Sequence, residues 1–190
     1  MKAIAIILAA GQSSRMGKPK ALLETAPGVT FLDRLAGIFR AAGLSPLAVL
    51  GAHAEQIVRL HPQVKQVLNA GWVDGQLSSV RVGLRAALLQ GATRILIHPV
   101  DIPLIAEATA VRLLSALEDC PAGVATFEGK SGHPLGLRAT AARLLLGSRL
   151  DTLEEGVALL EARQVAVEDP RILDNLNSPE AYLQRFGHLP

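Results

Sequence analysis

Three cations stand within six residues of one another in the segment Leu8–Lys20, which reads LAAGQSSRMGKPK. Arg15, Lys18 and Lys20 follow Gly11 and a run of small residues, so the backbone can come close to a ligand while its N–H groups converge on an anion. A triphosphate concentrates several negative charges in a small space, and guanidinium and ammonium groups beside a glycine turn suit it. Two general phosphate motifs do not apply. A Walker loop has four residues between its glycines and Ser or Thr after its Lys, whereas here five residues separate Gly11 from Gly17 and Pro19 follows Lys18. The dinucleotide fingerprint Gly-x-Gly-x-x-Gly is also absent. The plain alternative is a solvated basic loop between a strand and a helix; the clustering of cations beside a glycine turn weighs against it.

A phosphate site of this kind calls for a hard cation and oxygen ligands. Asp101, in HPVDIPLI, follows the aliphatic run from Arg94 to Ile97 and offers a carboxylate at a strand end, with Pro99 and Pro103 fixing its flanks. Magnesium prefers such oxygen donors and bridges phosphates. Asp at a strand end also caps helices, but Pro103 interrupts the stretch, which favours the metal role. In DNLNSPEAY, Ser178, Pro179 and Glu180 form a helix start, with Asn177 just before it. In NAGWVDGQLSSVRVGL, Gly75 and the pair Ser78 and Ser79 stand at another helix start, a place that receives anions or is simply capped by serine. Trp72 is the single Trp and suits a pocket wall or the core. His53, His61, His98 and His188 are read as structural. Cys120 and the serines lack an identifiable base partner, so nucleophilic catalysis is not expected.

The elements that must position these residues alternate along the chain. Short aliphatic runs start at Ala3, Leu47, Val64, Arg94, Ala122 and Arg163; helical patterns lie around 30–43, 53–60, 77–91, 105–119, 139–162 and 178–187. Ala3–Leu8 has almost no polar alternation, as a central parallel strand covered on both faces should. Such alternation predicts βαβ units in a three-layer α/β/α, Rossmann-like domain with a mostly parallel sheet, here one domain over residues 1–190. Ligands bind such sheets beyond the carboxyl ends of the strands, which singles out Gly11–Lys20, Asn69–Ser79, Pro99–Pro103 and Asp174–Pro179.

Composition agrees. With 49% hydrophobic and 19% charged residues the chain can bury a large core. A net charge of +2, 3% aromatic residues and no block of like charge argue against a nucleic-acid partner. One cysteine excludes an internal disulfide, no Cys/His cluster has zinc spacing, and Ala3–Ala10 is too short to span a bilayer and lacks the pattern of a signal peptide. A cytoplasmic protein without a membrane partner is expected.

Leu8–Lys20 resembles the signature of the molybdenum-cofactor nucleotidyltransferase family, Leu-Ala-Ala/Gly-Gly-x-Ser-x-Arg-Met-Gly-x-x-Lys, at every defined position. That resemblance implies a nucleotidyltransferase (GT-A-like) fold. It assigns Leu8, Ala9, Ala10, Gly11, Arg15, Lys20, Asn69 and Asp101 to the nucleotide, with Arg15, Lys20 and Asp101 catalytic. The Asp-x-Pro segment at Asp101 is similar to the family's magnesium site, and Asn177 aligns with its second metal-side residue, within a segment similar to Asn-x-Asn-Thr-Pro-Glu where Ser178 replaces Thr. Ser78 and Ser79 fall in a segment similar to one that contacts substrate. Gly132-His133-Pro134 resembles the element that faces the pterin in the cytidylyltransferase branch, so His133 and Pro134 are expected at the acceptor.

The reaction implied is attack by a phosphate oxygen of a molybdopterin-type acceptor on the α-phosphate of a nucleoside triphosphate, with Mg²⁺ as cofactor and pyrophosphate as leaving group. Ala10 and His133 incline the nucleotide toward CTP, while the Asn-x-Asn form at 175–177 resembles the GTP-using branch. The segment SRLDTLEEGV departs from the Gly-Asp-x-Gly-Ala expected of cytidylyltransferases. A sugar phosphate is another acceptor the fold accommodates. A molybdoenzyme or its chaperone is the implied downstream partner. A reading of another class, a non-catalytic nucleotide-binding accessory protein of a molybdoenzyme, is disfavoured by the presence of both Lys20 and Asp101.

Overall fold

The computed structural model describes residues 2–190. Strand β1 (Ala3–Ala9) is a buried interior strand of a seven-stranded sheet. It is flanked by β4 (Ser45–Leu50) and β6 (Arg94–Pro99), both parallel to it. Beyond β4 lies β5 (Lys65–Leu68), also parallel. On the other side come β8 (Lys130–Arg138), antiparallel to β6, then β7 (Ala122–Phe127) and β9 (Arg163–Ala166), giving the order β5-β4-β1-β6-β8-β7-β9. A two-stranded hairpin of β2 (Glu24–Ala26) and β3 (Val29–Thr30) stands apart from this sheet.

Because side chains alternate along a strand, β1 supplies both cores. Ala5, Ile7 and Ala9 face one helical layer, made by α1 (Phe31–Ala41), α2 (Ala54–Leu60), α4 (Glu107–Ala116) and α7 (Pro179–Phe186). Ile4, Ile6 and Leu8 face the other, made by α3 (Gln76–Leu89), α5 (Ala139–Gly147) and α6 (Leu153–Leu159). The result is a three-layer α/β/α fold with a mostly parallel sheet.

Two expected boundaries change. The continuous helical pattern over 139–162 is two helices. Ser148 is extended (φ −78°, ψ 154°), and Thr152 starts α6 through a capping box, its hydroxyl accepting the Glu155 N–H while the Glu155 carboxylate accepts the Thr152 N–H. Apolar periodicity continues across this break because both helices bury leucines in one core. Strand β8, not expected as a strand, is formed around SGHPLGLR; Glu128 and Gly129 at positive φ turn the chain back from β7, and the short glycine-rich run has no long aliphatic stretch to announce it.

Strand register fixes where ligands can go. Leu8 pairs with Val49 and with Pro99, so β1, β4 and β6 end at one level and their following loops share one edge. Among the described residues no helix is long and apolar enough to cross a membrane.

Candidate active site

The loop after β1 is shaped by a few local bonds. Ser13 adopts left-handed backbone (φ 55°), and its hydroxyl accepts the Lys20 N–H at 2.9 Å while its carbonyl accepts the Met16 N–H at 2.9 Å. Met16 is buried and anchors the loop in the core, and a 3-10 turn at Lys20–Leu22 fixes where the lysine stem leaves the chain. Ala10 holds the loop's other end, because its carbonyl accepts the Ala52 N–H at 3.0 Å. Gly51 allows that contact: a Cβ there would lie 2.5 Å from the Ala10 oxygen and 2.7 Å from Trp72 Cβ.

Asp101 arrives from the end of β6. The Val100 N–H donates to the Leu8 carbonyl at 3.1 Å, which joins this turn to β1, and the Asp101 carbonyl accepts the Leu176 N–H at 2.9 Å. The second bond brings in the segment before α7. As a result the Lys20 ammonium donates to Asp101 Oδ2 at 2.7 Å and to Asn177 Oδ1, and Lys20 and Asp101 are each less than one-fifth exposed. Residues 20, 101 and 177, expected from three separate segments, meet at one point.

Beside them is a cavity of about 350 Å³. Leu8, Ala9, Ala10, Gly11, Lys20, Ser79 and Asp101 line it, as do Trp72 and His53. Trp72 is therefore a pocket wall rather than core. His53, read as structural, is part of this wall, with its Nε2 donating to the Gln12 carbonyl at 2.8 Å. It follows β4 at the same sheet edge, and the strand-end rule applied to β4 would have found it.

Other expected residues stand elsewhere. Arg15 is exposed on the turn Ser14–Met16 and does not line the cavity, and Lys18 is exposed too. Asn69 is buried and its amide is consumed internally, donating to Ser78 Oγ at 2.9 Å and Ser79 Oγ at 3.0 Å and accepting the Gly71 N–H at 3.1 Å. Ser78 in turn donates to the Gly75 carbonyl at 2.8 Å. Asn69 and Ser78 thus do not line this cavity; they border a separate one of about 310 Å³ and brace the Gly71–Gly75 loop that carries Trp72.

His133 and Pro134 lie on the other side of Asp101, joined by a cis peptide bond. His133 lines a second cavity of about 400 Å³ with Ile102, Leu153, Glu154, Ile172 and Asn175, an apolar slot with a few polar groups. Asp101 borders the first cavity and its neighbour Ile102 the second, so one turn separates the two. Burial pushes His133 below its ordinary value, against the opposing charges of Asp101 and Glu154. His98, fully buried beneath the turn, packs edge-on against both His133 and Phe39; burial pushes it down to about 3, with His133 adding to the shift.

Comparison with known proteins follows the same lines. The family described as the MobA-like NTP transferase domain matches residues 5–167. The chain belongs to that family. A probable molybdenum cofactor guanylyltransferase of Opitutus terrae is 31% identical over 184 residues, covering 92% of this chain and 90% of its own length. Rv0371c of Mycobacterium tuberculosis has the same fold (TM-score 0.82, 25% identity, 99% and 98% of the two chains), and that protein has also been solved with manganese. A nucleotidyl transferase of Methanothermobacter is equally near (TM-score 0.81, 26% identity, 98% and 97% covered). As a MobA-like NTP transferase, the protein is a nucleotidyltransferase.

Proposed function

We propose that the protein transfers GMP from GTP to the phosphate of a molybdopterin-type acceptor, releasing pyrophosphate. The observation that carries this reading is the meeting of Lys20, Asp101 and Asn177 beside the 350 Å³ cavity that Lys20 and Asp101 line. An acceptor phosphate oxygen forms a bond to the α-phosphorus as the bond from that phosphorus to the bridging oxygen breaks, and pyrophosphate leaves with the electron pair. Such transfer needs positioning and charge neutralisation rather than covalent help. Lys20 donates to the phosphates, the exposed Arg15 folds onto them from the loop, and backbone groups from Leu8 to Gly11 hold the nucleoside.

The residues fit a divalent cation, magnesium by this reading. Asp101 Oδ2 and Asn177 Oδ1 are hard oxygens aimed at one point, already occupied by a cationic nitrogen. Among the described residues no group of three His, Cys, Asp or Glu could hold a metal, so most remaining ligands would be water and phosphate, as magnesium commonly takes them. When bound there, the ion neutralises phosphate charge.

The acceptor fits the second cavity, whose apolar walls suit a flat ring and which opens beside Asp101. GTP is preferred to CTP because the full-length relative is named a guanylyltransferase and because Asn175-Leu176-Asn177 has the Asn-x-Asn form. Ala10 and His133 support CTP as the second reading. The nucleotide form of the cofactor then passes to a molybdoenzyme or its chaperone. Incubation with a divalent cation, each triphosphate in turn and molybdopterin, followed by pyrophosphate measurement, tests this. GTP-dependent release supports it, CTP-only release selects the second reading, and nucleotide binding without turnover returns the accessory-protein reading.

A further inference from the structure

We infer that Lys20 is an exchangeable counter-ion, which closes the two metal-facing oxygens until a triphosphate draws its ammonium away. The inference rests on the function proposed above and concerns the order in which that site fills.

Lys20 Nζ stands 2.7 Å from Asp101 Oδ2 and bonds to Asn177 Oδ1, so the point on which both oxygens converge is taken by the chain's own charge. A dication cannot share that point with an ammonium, since like charges at such distances repel strongly where solvent is limited. Among the described residues that line the cavity Asp101 is the one carboxylate, and Lys20 already neutralises it. Free metal therefore meets a site without net attraction.

The geometry also shows what can move. The Lys20 N–H is held by Ser13 Oγ at 2.9 Å, and the 3-10 turn Lys20–Leu22 fixes its Cα. The flexible four-carbon stem is left to swing. The cavity that would receive a triphosphate is lined by the same lysine, together with Gly11 and Asp101. Lys20 Nζ thus exchanges two protein oxygens for phosphate oxygens without losing hydrogen-bond acceptors, and the exchange bares Asp101 and Asn177. Binding of metal and triphosphate is coupled, and the coupling must be reciprocal.

The test is titration of nucleotide-free protein with Mn²⁺, followed by electron paramagnetic resonance of the free ion. Lys20→Gln is expected to bind Mn²⁺ about tenfold more tightly than wild type, a size usual for coupled sites. Adding Asp101→Asn to that variant is expected to abolish the gain. In the wild type, a non-hydrolysable GTP analogue is expected to tighten Mn²⁺ binding, beyond what the analogue alone binds, by a similar factor. Equal Mn²⁺ affinity of wild type and Lys20→Gln overturns the inference, as does a gain that survives Asp101→Asn. If Lys20→Gln fails to fold, as judged by its melting transition, the wild-type titration with and without analogue decides, and affinity unchanged by the analogue overturns it. Absence of pyrophosphate release with every acceptor would remove the proposed function and leave this titration readable.

Discussion

His98 Nε2 donates to the Ile102 carbonyl at 2.8 Å, across the turn that carries Asp101. Since a carbonyl only accepts, the buried ring is the neutral tautomer protonated at Nε2. It fixes the backbone one residue beyond the carboxylate. His98→Phe would leave that buried carbonyl unpaired and lower stability by about 1–3 kcal/mol, measured by urea unfolding at pH 7.5. Turnover should fall more in His98→Phe than in His98→Gln, which can still donate.

The same ring makes stability pH-dependent. Burial holds the His98 ring at about 3 against an ordinary 6.5. Unfolded chains therefore take up a proton below 6.5 that the folded protein refuses, and this favours unfolding. The contribution is complete above 6.5 and is lost as pH falls toward 3. Urea midpoints should decline over that window, and His98→Phe should show a shallower decline than wild type.

Asp101→Asn keeps the shape of the side chain and removes its charge. Turnover should fall on the order of 10²–10³-fold, as when a stabilising group is removed from a charge-developing site. Its melting temperature should stay near that of wild type, because the Asp101 carbonyl, not its side chain, tethers the Leu176 segment. A wild-type rate would remove Asp101 from the mechanism.

Gly51→Ala puts a methyl group 2.5 Å from the Ala10 oxygen and 2.7 Å from Trp72 Cβ, both residues lining the first cavity, where the proposed function puts the triphosphate. Overpacking of this kind usually costs about 1–3 kcal/mol. KM for the triphosphate should rise while KM for the acceptor stays level. Equal effects on both would mean a general loss of structure.

His133→Ala should show the reverse pattern. His133 lines the second cavity and does not border the first, so acceptor KM should rise without change in the triphosphate KM. Steady-state kinetics with each substrate varied separately distinguishes the two.

Much of this candidate site was legible in the chain because several of the residues that line it are local in sequence. Lys20, Gly11 and the small residues of Leu8–Lys20 lie in one short segment, though its other cations, Arg15 and Lys18, stay exposed, and Asp101 follows a run whose burial as β6 was evident from its aliphatic residues. The strand-end rule pointed to Asp174–Pro179 and the resemblance put Asn177 on the metal side, but its bond to Lys20 was not foreseen, since a backbone bond between Leu176 and Asp101 has no signature in residue type. Asn69 shows the opposite limit. Its place at a strand end suggested a ligand, but whether an amide faces a ligand or braces Ser78 and Ser79 depends on packing that spacing does not encode. For the same reason β8 was missed: a strand read through Gly132, Pro134 and Gly136 is stabilised by its neighbours β6 and β7 more than by its own propensity.

The bond from the Leu176 amide to the Asp101 carbonyl gives the molecule a reporter of its own. Leu176 is buried, so its amide hydrogen can trade with solvent only when the C-terminal segment lifts off the turn. The deuterium uptake of that single proton would therefore clock how often the site comes apart, and slowing of that clock by a ligand would register binding without any reaction taking place.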